Sequence, residues 1–181
     1  MANSDGTTQT TTVQEIADAT ITRLIAAGLI QPKGAKKKRV NWEREISNEY
    51  LARFYPQTPH WTRIEVGPIP PGSNDFLYSR TRRWADAVVR EPDNMLIIEF
   101  KMRADQDVVG QLMNYRQLLP QTPMFIKYKD LPVKCRVVAA MCDEQTKALI
   151  EGNGIELEMF QPRNYEKWYT EKILKKQEQK Q

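Results

Sequence analysis

The stretch EPDNMLIIEFK, residues 91–101, decides how this chain is read. Pro92, Asp93 and Asn94 are turn residues, and Met95 to Ile98 behind them form an unbroken apolar run. Such a run suits a strand buried on both faces. It ends, however, in Glu99-Phe100-Lys101, and a buried charge is costly unless it is paired or used. Side chains alternate along a strand, so Leu96, Ile98 and Phe100 share one face. Met95, Ile97, Glu99 and Lys101 share the other. A carboxylate and an ammonium therefore project together from the end of a core strand.

The upstream segment RWADAVVR, residues 83–90, reads as the partner strand of a hairpin. With the turn over residues 92–94, cross-strand numbers sum to about 186, which sets Asp86 near Phe100, between Glu99 and Lys101. Asp86 then shares a face with Trp84 and Val88. Asp93 stays in the turn, about 20 Å from Glu99. The carboxylate partner of Glu99 is thus expected to be Asp86. A buried Asp–Lys ion pair is the structural alternative, but it leaves the second carboxylate without a purpose. Two carboxylates at a strand end make a hard-oxygen site suited to Mg²⁺ or Mn²⁺, with the main-chain carbonyl of Phe100 as a further ligand. A neighbouring Lys101 could orient water or offset charge on a phosphate.

Two helices bring further candidates. Residues 105–119, capped by Asp105 or Asp107, carry an apolar stripe of Val108, Val109, Leu112, Tyr115, Leu118 and Leu119. Gln111 lies inside that stripe, one turn before Tyr115, and a buried amide needs partners; an ordinary buried Gln is the plain alternative. An earlier helix over residues 42–54, with Asn41 as N-cap, has the inner stripe Trp42, Ile46, Tyr50 and Phe54. Glu43 falls within this stripe, either as a third metal ligand or as a solvated acid favoured by the helix dipole.

The remaining elements follow from period and punctuation. Residues 13–30 have helical spacing, and KGAKKKR, residues 33–39, is a basic linker. Residues 60–66 read as a strand, and residues 67–81 as a long Gly/Pro/Ser loop. Residues 135–141 are a fully buried strand, Asp143 caps a helix to residue 151, and residues 155–160 are a last strand. Residues 164–176 form an amphipathic helix with Tyr165, Trp168, Tyr169 and Ile173 on one face. The expected fold class is α/β, a mixed sheet between helices. Three segments follow: a tail, helix and basic linker over 1–40, a core over 41–161, and a C-terminal helix over 162–181.

Composition narrows the partners. The net charge is +4 and the pI near 9.0, which permits nucleic-acid binding without demanding it. Cys135 and Cys142 match no zinc spacing and read as reduced structural thiols; His60 is the sole histidine. No apolar run approaches the roughly 20 residues of a membrane span, and the polar start lacks a signal-peptide core. A soluble, intracellular protein with no membrane partner is expected.

Asp86, then Glu99-Phe100-Lys101, in an αβββαβ order, resemble the PD-(D/E)XK nuclease superfamily with its restriction-endonuclease-like sandwich. QLMNY, residues 111–115, is similar to the Q-x-x-x-Y motif of its RecB-like exonuclease branch. EREI, residues 43–46, is similar to the first-helix Glu region of archaeal Holliday junction resolvases. The resemblance implies a Mg²⁺- or Mn²⁺-dependent phosphodiesterase. Asp86 and Glu99 would be metal ligands, Lys101 the catalytic lysine, and Gln111 and Tyr115 positioning groups. It lacks the Cys quartet of iron–sulfur RecB-like members and any helicase motif. The expected substrate is DNA, with RNA open, cleaved from ends or internally. Lys36, Lys37, Lys38, Arg39, Arg80, Arg82, Arg83, Arg103, Lys127 and Lys129 are the expected backbone contacts. The competing reading is a non-catalytic DNA-binding or structural subunit that keeps the fold, in a homo-oligomer, a virion or a DNA-processing assembly.

Overall fold

The computed structural model describes Thr20, Arg23, residues 40–69, Gly72 and residues 83–174. The chain divides into Met1–Val40 and Asn41–Gln181, and the C-terminal helix belongs to the second unit. The basic linker, the first expected helix apart from Thr20 and Arg23, and most of the long loop lie outside the described residues.

In the second unit α1 (Trp42–Phe54) leads into β1 (His60–Val66), β2 (Arg83–Arg90) and β3 (Met95–Arg103). Next come α2 (Asp107–Leu118), β4 (Val133–Met141), α3 (Glu144–Gly152), β5 (Glu156–Met159) and α4 (Tyr165–Tyr169). The five strands lie in the order β1-β2-β3-β4-β5. β1, β2 and β3 form an antiparallel meander, whereas β4 runs parallel to β3 and β5 parallel to β4. The switch follows from the connections: a turn can only reverse a strand, while α2 and α3 carry the chain back across the sheet. This is the mixed-sheet αβββαβ sandwich implied by the sequence.

Helices cover both faces. Val108, Val109, Leu112 and Tyr115 of α2 and Ile150 of α3 pack on Met95, Ile97, Cys135, Val137 and Ala139. Trp42, Ile46, Tyr50 and Leu51 of α1 and Trp168 of α4 pack on Leu96, Ile98, Phe100 and Val138. β3 has helices on both sides, which is why Met95 to Phe100 is buried without alternation. In α1 the inner stripe turns slightly: Leu51 is buried and Phe54 is exposed.

Asn41 caps α1 by accepting from the Arg44 amide at 3.1 Å, and Asp143 caps α3 by accepting from the Thr146 amide at 2.9 Å. α2 departs from expectation. Its cap position is Gln106, without a side-chain hydrogen bond, and neither Asp105 nor Asp107 caps it. Asp107 stands in the first turn, where the helix dipole favours its charge. The C-terminal helix also departs: past Tyr169 it widens into a π-turn, Thr170–Leu174. Thr170 donates its hydroxyl to the Glu166 carbonyl at 2.9 Å, a back-bond that bends helices.

The hairpin register differs by one residue from expectation. Glu91 N donates to Asn94 O, and Arg90 stands opposite Met95 and Ala87 opposite Ile98. Asp86 is therefore level with Glu99 rather than Phe100. The alternation also slips here. Trp61 and Val88 pack in the cluster under α2, and so do Ile64 and Ala85, three residues further in each strand. Between them Arg63 adopts a left-handed φ of 52°, and the β1–β2 pairing skips Arg63 and Asp86. Asp86 thus does not share a face with Trp84 and Val88 through simple alternation; the sheet kinks at Asp86 itself.

Candidate active site

Glu99 is the centre of the site. Its side chain is only 3% exposed, on the β3 face under α2. Its Oε1 accepts from the Gln111 amide at 2.8 Å and lies 3.4 Å from Lys101 Nζ. Its Oε2 is buried and has no hydrogen-bond partner. An orphaned carboxylate oxygen is costly, and native interiors rarely leave one without a role.

Asp86 reaches the same strand end. Its Oδ2 accepts from the Phe100 amide at 2.9 Å. A carboxylate here takes the place of a main-chain partner, so the β2–β3 ladder stops at Ala87 and Ile98. N–H and C=O of one strand residue point the same way, so the Phe100 carbonyl is turned toward β2, past the last paired residues.

Gln111 meets the requirement for partners. Its amide also donates to the Tyr115 hydroxyl at 2.8 Å, and Tyr115 donates to the Trp84 carbonyl at 2.6 Å. A continuous chain thereby runs from Glu99 through α2 to the main chain of β2. It holds one Glu99 oxygen in place and leaves the other unsatisfied.

The electrostatics match this geometry. Burial, and then the negative charge of Asp86, push the Glu99 carboxyl up to about 8 against the pull of Lys101. Burial likewise raises Asp86, opposed by the Phe100 amide, Lys101 and Arg63. Loss of water would lower the Lys101 ammonium, but Glu99, Glu43 and Asp86 outweigh it and hold it above its ordinary value. Two crowded carboxyls with raised affinity for protons have an environment short of positive charge.

Glu43 stands exposed in the first turn of α1. Loss of water raises its carboxyl, while Lys101 lowers it and Asp86 and Asp105 raise it. It belongs to the same field. Among the described residues, no three of His, Cys, Asp and Glu come close enough together to hold a metal unaided. The convergent pair is Asp86 and Glu99.

Of the expected backbone contacts, Arg83 and Arg103 are exposed near this end of the sheet, at the start of β2 and the end of β3. Lys127 and Lys129 are exposed elsewhere, in and just after the 3₁₀ segment Pro123–Tyr128. That segment packs Phe125 and Tyr128 against Met95, about 20 Å along β3 from Lys101. The fold does not bring these two lysines to the site. Lys36, Lys37, Lys38, Arg39, Arg80 and Arg82 lie outside the described residues. Arg63 was not apparent from sequence: nothing in HWTRIEV signals a left-handed residue, yet its charge acts on Asp86.

No family model and no curated protein matches the chain. Solved structures resemble it at low identity. A complex of EndoMS with double-stranded DNA is 17% identical, with a TM-score of 0.45, over 74% of this chain and 50% of the other. A repair endonuclease from Pyrococcus abyssi is 21% identical, with a TM-score of 0.43, over 69% and 48%. A protein from Vibrio cholerae is 13% identical, with a TM-score of 0.44, over 89% and 44%. The chain thus spans about half the length of these proteins or less.

Proposed function

We propose that the protein is a metal-dependent DNA nuclease that hydrolyses phosphodiester bonds at Asp86, Glu99 and Lys101. One observation carries this reading: the buried, unpartnered Oε2 of Glu99, beside a second carboxylate and an ammonium on one strand end. Asp86, Glu99 and the Phe100 carbonyl form a hard-oxygen donor set that fits Mg²⁺ or Mn²⁺. Bound there, the ion would acidify water and offset phosphate charge. Gln111, held by Tyr115, fixes the Glu99 carboxylate. Lys101, 19% exposed, presents an ammonium from the same face, where it can orient water or neutralise charge that develops on a phosphate oxygen. Glu43 adds negative charge that keeps Lys101 protonated. Arg83 and Arg103 would hold the flanking backbone.

The test is cleavage of linear, circular and branched DNA and of RNA in Mg²⁺ or Mn²⁺, beside Asp86→Ala, Glu99→Ala and Lys101→Ala. Each variant should fall to background while melting cooperatively. Undiminished Mg²⁺-dependent cleavage in all three would sink the assignment. A parent protein that binds DNA yet never cleaves it would instead identify a non-catalytic subunit.

A further inference from the structure

Beside the candidate metal site lies a cavity of about 630 Å³. This lies within the usual size range of small-ligand sites, about 300–1,000 Å³. It opens where β1 and β2 continue past Arg63 and Asp86. Ile64 and Val66 form one wall, Leu118 at the end of α2 another, and Met124 a third. Trp84 also lines it, 47% exposed, a large indole left in solvent beside a polar site. Two cations, Arg63 and Arg83, are part of the lining, and both are exposed. Glu65 lines it too, already engaged in another interaction.

We propose that this cavity takes an unpaired nucleobase of the DNA strand being cut, stacked on Trp84, while Arg63 and Arg83 hold the adjoining phosphates. The inference rests on the nuclease reading above and names the feature of the substrate that reading leaves open. A flat aromatic face with apolar walls suits any base, since every base has a π-face. Arginines at the rim suit the phosphates that must accompany it. A purely apolar ligand would leave both guanidinium groups without a complement. Position is the third argument. Trp84 precedes Asp86 by two residues, about 7 Å of strand, and its carbonyl anchors Tyr115 and so the Gln111–Glu99 chain. Arg63 sits across from Asp86 and acts on its charge. A nucleotide with its phosphate at Asp86 therefore has its base within reach of the cavity.

The experiment uses the full chain in EDTA, so that no strand is cut. Fluorescence anisotropy is read with a labelled single-stranded oligonucleotide and with an abasic strand of the same length. The parent protein should prefer the base-containing strand by about fivefold or more. Trp84→Ala should lose that preference, Trp84→Phe should keep most of it, and Arg83→Ala should weaken both strands alike. Trp84 is half exposed, and thermal melting confirms that its variants fold. Equal binding of the two strands by the parent, or a preference retained in Trp84→Ala, overturns the base pocket; Mg²⁺-dependent cleavage then still stands by itself. If the parent neither binds nor cleaves DNA, the nuclease reading falls and the pocket falls with it.

Discussion

Glu99 shows why a single oxygen can reveal a site. Its neighbours solve half of a burial problem and leave the other half open, which a purely structural glutamate would not do. Its titration makes a stability prediction. A carboxyl whose pKa is raised in the fold, here from 4.5 to about 8, stabilises below its unfolded value and loses that contribution as pH rises through about 8. Metal-free protein should therefore lose stability between those values. Glu99→Gln keeps the shape without the charge. It should melt above the parent in EDTA at pH 8, by about 2–4 °C for each 1 kcal/mol relieved, and the gap should close near pH 5. The same substitution should abolish stabilisation by Mn²⁺, read as the melting shift on titration. Asp93 gives the contrasting case. It is exposed in the turn, so Asp93→Ala should change stability by less than about 0.5 kcal/mol and leave cleavage intact, whereas Asp86→Ala should not.

At the level of elements, β2 and α1 carry the arrangement. β2 yields its ladder at Asp86 so that a side chain can take the Phe100 amide, and β1 bends with it at Arg63. Arg63 pays for a left-handed backbone that glycine would adopt freely. Arg63→Gly should leave thermal stability equal or slightly higher, while DNA affinity falls and becomes less salt-dependent; unchanged affinity would remove Arg63 from the interface. α1, which brings Glu43, is tied to the sheet away from the site. Arg136 of β4 donates to Tyr50 and Tyr55, at 3.1 and 2.9 Å, and bonds Glu156 of β5 at 2.6 Å. Tyr50 also donates to Glu158 of β5 at 2.5 Å. Arg136→Ala should cost about 1–3 kcal/mol in denaturant unfolding and weaken cleavage only to the extent that α1 shifts.

At the level of the molecule, Asn41–Gln181 contains both core clusters, the whole sheet and the candidate site. Expressed alone, it should unfold in one cooperative transition near the melting temperature of the full chain and retain metal-dependent cleavage. If Lys36, Lys37, Lys38 and Arg39 contact the backbone, its DNA affinity should fall and the salt dependence of binding should become shallower. An unchanged salt slope would exclude them. Among the described residues no helix is long and apolar enough to cross a membrane.

The sequence by itself determined the sheet and its layers. Unbroken apolar runs marked strands buried on both faces, Asn41 and Asp143 marked helix starts, and the spacing of Gln111 and Tyr115 marked one helix face. These signals are local, so they are written in neighbouring residues. It also placed Asp86, rather than Asp93, beside Glu99, because a tight turn limits which residues can pair. Tertiary structure decided what local pattern cannot encode. The register set Asp86 level with Glu99, one residue from the arithmetic of the turn. The kink at Arg63 and Asp86 broke the alternation, since a left-handed residue in a strand is held by its surroundings and not by its own preference. The packing of Pro123–Tyr128 against Met95 carried Lys127 and Lys129 away from the site. Above all, only packing could show that Glu99 keeps one oxygen empty, because a missing partner is a property of the space around a residue.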